Sequence, residues 1–250
     1  MIAAIVTAHY VVLLLDSGLD VDTKGALAAF DLFEERSIGT WANAALLAAA
    51  ALAAGAIAAA TPRAQARLRK GWMALCAIIA LASIDEVAGF HESAVDLVRS
   101  AVSLPGFLVY AAWVPPALAI VAGFIAWQWR FFRLLPRTLS TRLTVAVGVY
   151  VAAAAGLEIA ESALLADSGG RDSVPVLQVL VGVEEGLEMA AAAVVLLALL
   201  GHIAAQCPAW RIGIRDGGER VEAAPVTAGA NGDEARWSRD LVASRQRARS

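Results

Sequence analysis

The sequence predicts an all-α protein, a polytopic membrane bundle of six transmembrane helices with both termini in the cytoplasm. Composition, the spacing of apolar runs and the charges of the connecting segments all lead to this class. Of the 250 residues, 59% are hydrophobic and only 17% are charged, whereas an ordinary soluble domain is about 25% charged. At a net charge of −3 no global electrostatic attraction to nucleic acid is expected, so a nucleic-acid partner is excluded.

Six apolar runs supply the predicted spans, because crossing the hydrocarbon core takes about 20 residues at a rise of 1.5 Å each. The runs are rich in Ala, Leu, Val and Ile, which suits close helix packing in lipid. In the fourth run we expect Pro116, which follows Pro115, to kink the helix. The runs cover residues 2–15 (extending to 19), 41–60, 71–90, 106–128, 142–165 and 175–202.

The connecting segments alternate in charge. Segments 61–71 and 129–142 are basic and contain no acid, whereas segments 16–40, 91–105 and 166–174 are mainly acidic. Basic loops stay in the cytoplasm, so the alternation predicts a multi-pass protein of the bacterial cytoplasmic (inner) membrane with N-in and C-in orientation. Tryptophans at the span ends, where aromatic rings favour the interface, agree with these boundaries.

Two regions differ in composition. Residues 1–204 form the predicted six-span transmembrane domain. Residues 205–250 lack sustained apolar periodicity and are predicted to be a disordered cytoplasmic tail. The basic end of this tail, around Trp237 and Leu241, is interpreted either as an amphipathic helix on anionic lipid or as a solvated tail.

Acidic residues inside the predicted spans are the main functional signal. They occur in SIDEVAGFHE (83–92), GLEIAES (156–162) and GVEEGLEM (182–189), and apart from Arg142 at the start of the fifth run no Lys or Arg lies in the six runs. An ionised Asp near the bilayer centre costs roughly 2.5–3.5 kcal/mol, so these groups need a proton, a bound cation or a water-filled cavity. The candidate metal-binding residues are Asp85, Glu86, His91, Glu92, Glu158, Glu161, Glu184, Glu185 and Glu188.

Helical spacing indicates which of these acids can act together. Residues three or four apart share a helix face, which pairs Glu158 with Glu161 and pairs Glu188 with both Glu185 and Glu184. If three helices bring such pairs together, the oxygen-rich site suits Ca²⁺, Mn²⁺ or Mg²⁺, or Zn²⁺ and Fe²⁺ if His91 joins. The alternative for any single position is a neutral carboxylic acid that forms a hydrogen bond between helices.

Other polar and small residues in the spans have structural interpretations. Gly182 and Gly186 form a GxxxG motif that lets a neighbouring helix approach closely. His9 is interpreted as a helix–helix contact rather than a ligand. Ser83 and Ser162 are expected to form hydrogen bonds with their own helices.

These acidic motifs, together with FDLFEERSIGTWANAAL at residues 30–46, resemble those of a group of uncharacterised bacterial multi-pass membrane proteins. Their pattern has S-L-D-E followed by H-E, an E-E-x-L-E-M helix and an acidic entry segment. The resemblance runs from about residue 30 to 200 and departs at Phe33, Ser37 and Gly39, where the pattern has Asp, Asn and Pro. It implies the topology but no activity.

The chain is also loosely similar to the ceramidase-like superfamily of membrane metal hydrolases, which use three histidines for zinc. Only His91 lies near the acids here, and there is no H-x-x-x-H motif.

The leading hypothesis is an outward-facing intramembrane site for a divalent cation or protons, in a transporter-like or sensor protein. Glu185, Glu188, Glu158, Asp85 and Glu86 are the expected inner ligands or proton carriers, with His91 and Glu92 at the entrance. The alternative is a metal-dependent hydrolase that acts on lipid at the outer leaflet, in which the metal activates water. A third class is a scaffold whose tail recruits partners. Membrane lipid and a small cation or proton are the expected partners, and the identity of the ion is left open.

Overall fold

The structure, a computed structural model, describes residues 1–19, 28–32, 37–168 and 175–206. Within these ranges the chain is helical and contains no β-strand. The predicted tail from residue 207 onward, and Phe33 of the entry segment, lie outside the described residues.

α-Helices make up most of the described residues, and they are numbered in chain order. Three-residue 3₁₀ turns occur at Ala28–Phe30, Arg63–Gln65 and Gly106–Leu108, and a π-helical segment, Ala152–Leu157, joins α6 to α7 without a break. The helices are α1 (Ile2–Leu19), α2 (Ile38–Ala60), α3 (Ala66–Ala88), α4 (Phe90–Ala101), α5 (Val114–Phe132), α6 (Arg137–Val151), α7 (Glu158–Asp167) and α8 (Pro175–Gln206).

Four helical stretches are long and apolar enough to cross a membrane, and they coincide with four of the six predicted spans. They are Ile38–Ala60, Arg63–Ala88, Arg137–Asp167 and Val176–Gln206, while Ile2–Leu15 is a shorter apolar helix. Large apolar side chains such as Leu52 and Leu197 are exposed on these helices, as expected of a surface that faces lipid. The six-span count and the location of the termini remain predictions.

The fourth predicted span differs from the structure. Its helix, α5, begins at Val114 rather than at residue 106, so that Pro115 and Pro116 lie in its first turn. Proline is tolerated there because the first amides of a helix have no intrahelical acceptor. The kink expected at Pro116 was therefore a wrong prediction, and α5 is not among the four long apolar stretches.

The sequence predicts a connecting loop after α3, whereas the structure has a further helix, α4, in this segment. Gly89 ends α3 in the left-handed conformation, with φ of +61°, and donates its backbone N–H to the carbonyl oxygen of Asp85 across 2.8 Å. The chain then continues directly into α4. This helix is amphipathic, and apolar residues on one face, among them Phe90 and Leu97, are exposed.

Helices α2, α3, α6 and α8 surround the larger core cluster. Ala50 and Ala54 of α2 are fully buried, because small side chains let neighbouring helices approach closely. At one end of the cluster the buried Trp72 ring contacts Phe131 edge-on at 5.1 Å and stacks on His202 at 5.5 Å between ring centroids.

The contact between α1 and α8 confirms the interpretation of the GxxxG motif. A Cβ atom at Gly182 would lie 2.8 Å from Cδ2 of His9, and one at Gly186 would lie 3.1 Å from a methyl group of Val6. The absence of side chains at these two glycines therefore lets α1 pack directly on α8.

His9 is the helix–helix contact that the sequence predicts. Its ring is fully buried, with Nδ1 3.0 Å from the backbone N–H of Leu32 and Nε2 3.2 Å from the carbonyl oxygen of Gln178. Since Nδ1 accepts from the N–H of Leu32, the ring proton belongs on Nε2. Asp31 Oδ1 also lies 3.3 Å from Nδ1, an acidic neighbour that comes from outside α1.

Candidate intramembrane carboxyl site

Three glutamates from two helices, one of them half-buried and two buried, converge on one point. Glu158 and Glu161 lie in the first turn of α7 and Glu184 lies in α8. Each offers one carboxyl oxygen, and these oxygens all lie within 4.8 Å of one another. Glu161 and Glu184 are only 8% and 9% exposed. We call this set the carboxyl triad.

The π-helical segment Ala152–Leu157 comes directly before Glu158. A π turn holds one residue more than an α turn, so it changes the face on which the following residues lie. The segment reads AAAAGL, and such small side chains leave room for the wider turn. Glu158 and Glu161 are therefore displayed on a different face of the span than an uninterrupted α-helix would give.

One oxygen of the triad has no hydrogen-bond partner. Oε1 of Glu161 is buried and unpartnered, as is Oε2 of the neighbouring Glu185. Buried polar atoms are almost always paired, so each of these two oxygens is free to accept a hydrogen bond or to bind an ion. The triad is thus a place where a positive group would complete the local bonding.

A second group of polar side chains surrounds the fully buried Asn43 of α2. Its amide nitrogen lies 3.1 Å from Oε1 of Glu86, 3.2 Å from Oε2 of Glu188 and 3.4 Å from the hydroxyl oxygen of Tyr150. The amide has two N–H bonds for three neighbouring oxygens, and Oδ1 of Asn43 remains unpartnered. We call these four residues, contributed by α2, α3, α6 and α8, the Asn43 cluster.

Glu185 of α8 is close enough to both the triad and the Asn43 cluster to interact with each. Its carboxyl group interacts electrostatically with Glu86 of the cluster and with Glu161 of the triad, and Glu184 interacts in the same way with Glu188. The two groups therefore form one continuous acidic region. Among the described residues, no Lys or Arg forms an ion pair with any of these buried glutamates.

The outermost members of the predicted set form a half-exposed rim. Nδ1 of His91 lies 2.9 Å from Oδ2 of Asp85, and the backbone N–H of His91 donates to Oδ1 across 3.1 Å. Nε2 of His91 lies 3.7 Å from Oε1 of Glu92. The His91 ring packs against Trp113 at 5.1 Å, and the indole N–H of Trp113 lies 3.5 Å from Oε1 of Glu158. Trp113 thus connects the rim to the triad.

The nine predicted ligands therefore separate into three adjoining sets. The spacing of Glu158 and Glu161 correctly predicts that their carboxyl groups lie together, and Glu184 rather than Glu185 completes their triad. Glu86, Glu185 and Glu188 lie beside it, whereas Asp85, His91 and Glu92 lie at the rim. A metal-binding role for each of these residues remains a prediction.

Sequence reasoning missed three residues of this region, namely Asn43, Trp113 and Tyr150. The only signal in the sequence was a polar side chain within each apolar stretch.

The expectation that Ser83 and Ser162 form hydrogen bonds with their own helices was wrong. Ser83 donates to the carbonyl oxygen of Ala44 across 2.8 Å. Ser162 accepts from the backbone N–H groups of Tyr110 and Ala111, at 3.0 and 3.2 Å. Both serines therefore join neighbouring segments, because close packing puts backbone groups of another segment within their reach.

Four helices long and apolar enough to cross a membrane, with large apolar side chains exposed on them, define the class as a helical protein of membrane type that holds a cluster of carboxyl groups. The chain belongs to the family described as Domain of unknown function (DUF8692), whose model matches residues 1–203. This agrees with membership of an uncharacterised family. No curated protein and no solved structure matches the chain, and the similarity to ceramidase-like hydrolases has no support here.

Proposed function

We propose that this protein binds a divalent cation at the carboxyl triad, as a transporter-like or sensor protein of the bacterial inner membrane. The observation that carries the proposal is the convergence of Glu158, Glu161 and Glu184 within 4.8 Å. Carboxyl oxygens are the ligands that Ca²⁺, Mg²⁺ and Mn²⁺ prefer. The unpartnered Oε1 of Glu161 is available to such an ion.

Charge balance supports a divalent ion. Buried carboxylates in a membrane span need a counter-charge, and in the part of the chain that the structure describes no Lys or Arg forms an ion pair with the triad. Two ionised carboxylates and one protonated carboxyl group around a divalent cation make a neutral set. Binding of the ion thereby removes the cost of holding these acids together in an apolar helix bundle.

The rim supplies the route to the triad. His91 and Asp85 are partly exposed, and Trp113 lies between them and Glu158. With six spans and cytoplasmic termini, as the charge alternation of the loops indicates, this rim faces outward. A cation that enters from outside would meet Glu92 and Asp85 before it reaches the triad.

Metal binding by the purified full-length protein tests this proposal. After treatment with a chelator, the protein in neutral detergent is titrated with Mn²⁺, Ca²⁺ and Mg²⁺ and the bound metal is measured by calorimetry and elemental analysis. We expect one tightly bound ion, with affinity reduced about tenfold or more in Glu161→Gln, because a charged ligand is lost. Asp167→Asn is the matched control, because it removes an exposed acid from the end of the same helix. It should change the metal affinity less than twofold, since an exposed charge contributes little.

Absence of a bound divalent ion in the wild-type protein would contradict the proposal, as would equal affinities in Glu161→Gln and the wild type. The hydrolase alternative stays a prediction, and no specific structural observation favours it. His91 lies at the rim, where Nδ1 is hydrogen-bonded to Asp85, and it is not a member of the triad.

A further inference from the structure

A cavity of about 420 Å³ opens between the beginning of α3 and the end of α5, away from the carboxyl triad. Eight residues line it, and they come only from these two helices. The lining residues are Ala66, Arg67, Lys70, Gly71, Trp127, Gln128, Arg130 and Phe131.

The cavity is strongly basic. Arg67, Lys70 and Arg130 line it, and no lining residue is acidic. These three side chains are exposed, and none forms an ion pair with an acid in the described part of the chain. Three unopposed positive charges around one concave surface attract an anion.

Close packing holds the floor of the cavity in place. A Cβ atom at Gly71 would overlap the ring of Phe131, so the glycine lets α5 pack directly on α3. The side-chain amide of Gln128 donates to the carbonyl oxygen of Gly71 across 3.4 Å, and Phe131 is buried against Trp72. The basic side chains therefore project from a rigid junction of two helices.

We infer that this cavity binds the phosphate group of an anionic membrane phospholipid. Trp127 on its wall is 70% exposed, and exposed tryptophans concentrate where membrane and water meet. The lining cations belong to the two connecting segments that the charge alternation predicts to be cytoplasmic, where basic pockets between membrane helices bind anionic headgroups. This inference uses none of the carboxyl triad and is independent of the proposed cation site.

Calorimetric titration of the full-length protein in neutral detergent tests the inference. The probes are dioctanoyl phosphatidylglycerol, dioctanoyl phosphatidylcholine and inorganic phosphate. We expect phosphatidylglycerol to bind about tenfold or more tightly than the other two, because it combines net negative charge with acyl chains. The variant Arg67→Gln/Arg130→Gln should weaken its binding about tenfold or more, since each basic side chain near an anionic lipid adds to the affinity.

The matched control is Arg63→Gln/Arg133→Gln, which removes the same charge from residues outside the lining set. It should weaken binding clearly less than Arg67→Gln/Arg130→Gln does, because its two side chains do not line the cavity. Circular dichroism and elution volume from a sizing column check the folding of each variant. If the double variant does not fold, Lys70→Gln tests the same cavity by removing one exposed lining charge. Equal binding of both lipids, equal losses in the two double variants, or inorganic phosphate binding as tightly as phosphatidylglycerol would overturn the inference.

Discussion

The amide nitrogen of Asn43 donates a hydrogen bond to Oε2 of Glu188 across 3.2 Å and thereby joins α2 to α8 at a buried position. The same amide reaches Glu86 of α3, so one neutral side chain holds two carboxyl groups from different helices. A neutral donor does this without introducing a further charge into the apolar bundle. Asn43 of α2 therefore connects α3 and α8 through hydrogen bonds alone.

Asn43→Leu should lower the stability of the protein by about 1–3 kcal/mol for each carboxyl group that loses its donor. The measurement is thermal unfolding in detergent, followed by circular dichroism. The double variant Asn43→Leu/Glu188→Met replaces both partners by apolar groups and should lose less stability than the two single variants together. Additive losses would show that the contact between Asn43 and Glu188 contributes nothing of its own.

Gly182→Ala should destabilise the contact between α1 and α8 by about 1–3 kcal/mol, the usual cost of overpacking. Its new methyl group would lie 2.8 Å from the ring of His9 and 2.9 Å from the hydroxyl oxygen of Tyr10. Gly201→Ala is the matched control, since Gly201 lies in the same helix with nothing within 4 Å of the added Cβ. Because alanine favours a helix by up to about 1 kcal/mol over glycine, the control should be neutral or stabilising in the same unfolding assay. Equal effects of the two substitutions would count against the close approach of α1.

Ser162→Ala should loosen the segment before α5. The serine hydroxyl oxygen accepts from two backbone N–H groups, those of Tyr110 and Ala111. We expect these two amides to exchange with deuterium about fivefold or more faster, since a hydrogen bond contributes about 1 kcal/mol. Ser100→Ala, which removes an exposed bond within α4, is the control and should leave this exchange unchanged. Unaltered protection in Ser162→Ala would show that other contacts hold the segment.

The amphipathic α4 should lie at the membrane interface with its apolar face toward lipid, as helices with one apolar and one polar face do. Nitroxide labels on Leu97→Cys and Asp96→Cys, in a background without Cys76 and Cys207, distinguish the two faces. Leu97 is 71% exposed, so a label there should be more accessible to oxygen than to a water-soluble relaxation agent. The label at position 96 should show the reverse, and identical accessibilities would argue that α4 stands clear of the membrane.

The sequence alone determined that the chain is helical, that long apolar helices dominate it, and that carboxyl groups lie within those helices. These properties depend on composition and on periodicity along one chain. For the same reason, the pairing of Glu158 with Glu161 and the close approach at Gly182 could be predicted.

Only the tertiary structure decided which groups meet across helices. Spacing along α8 does not tell whether Glu184 or Glu185 faces α7, because that depends on how the two helices are rotated against each other. The π-helical segment before Glu158 changes this rotation, and Asn43 is recognised as a partner of Glu86 and Glu188 only when three helices surround it. Helical period is a local property of the chain, whereas the direction in which a helix face points follows from packing against its neighbours.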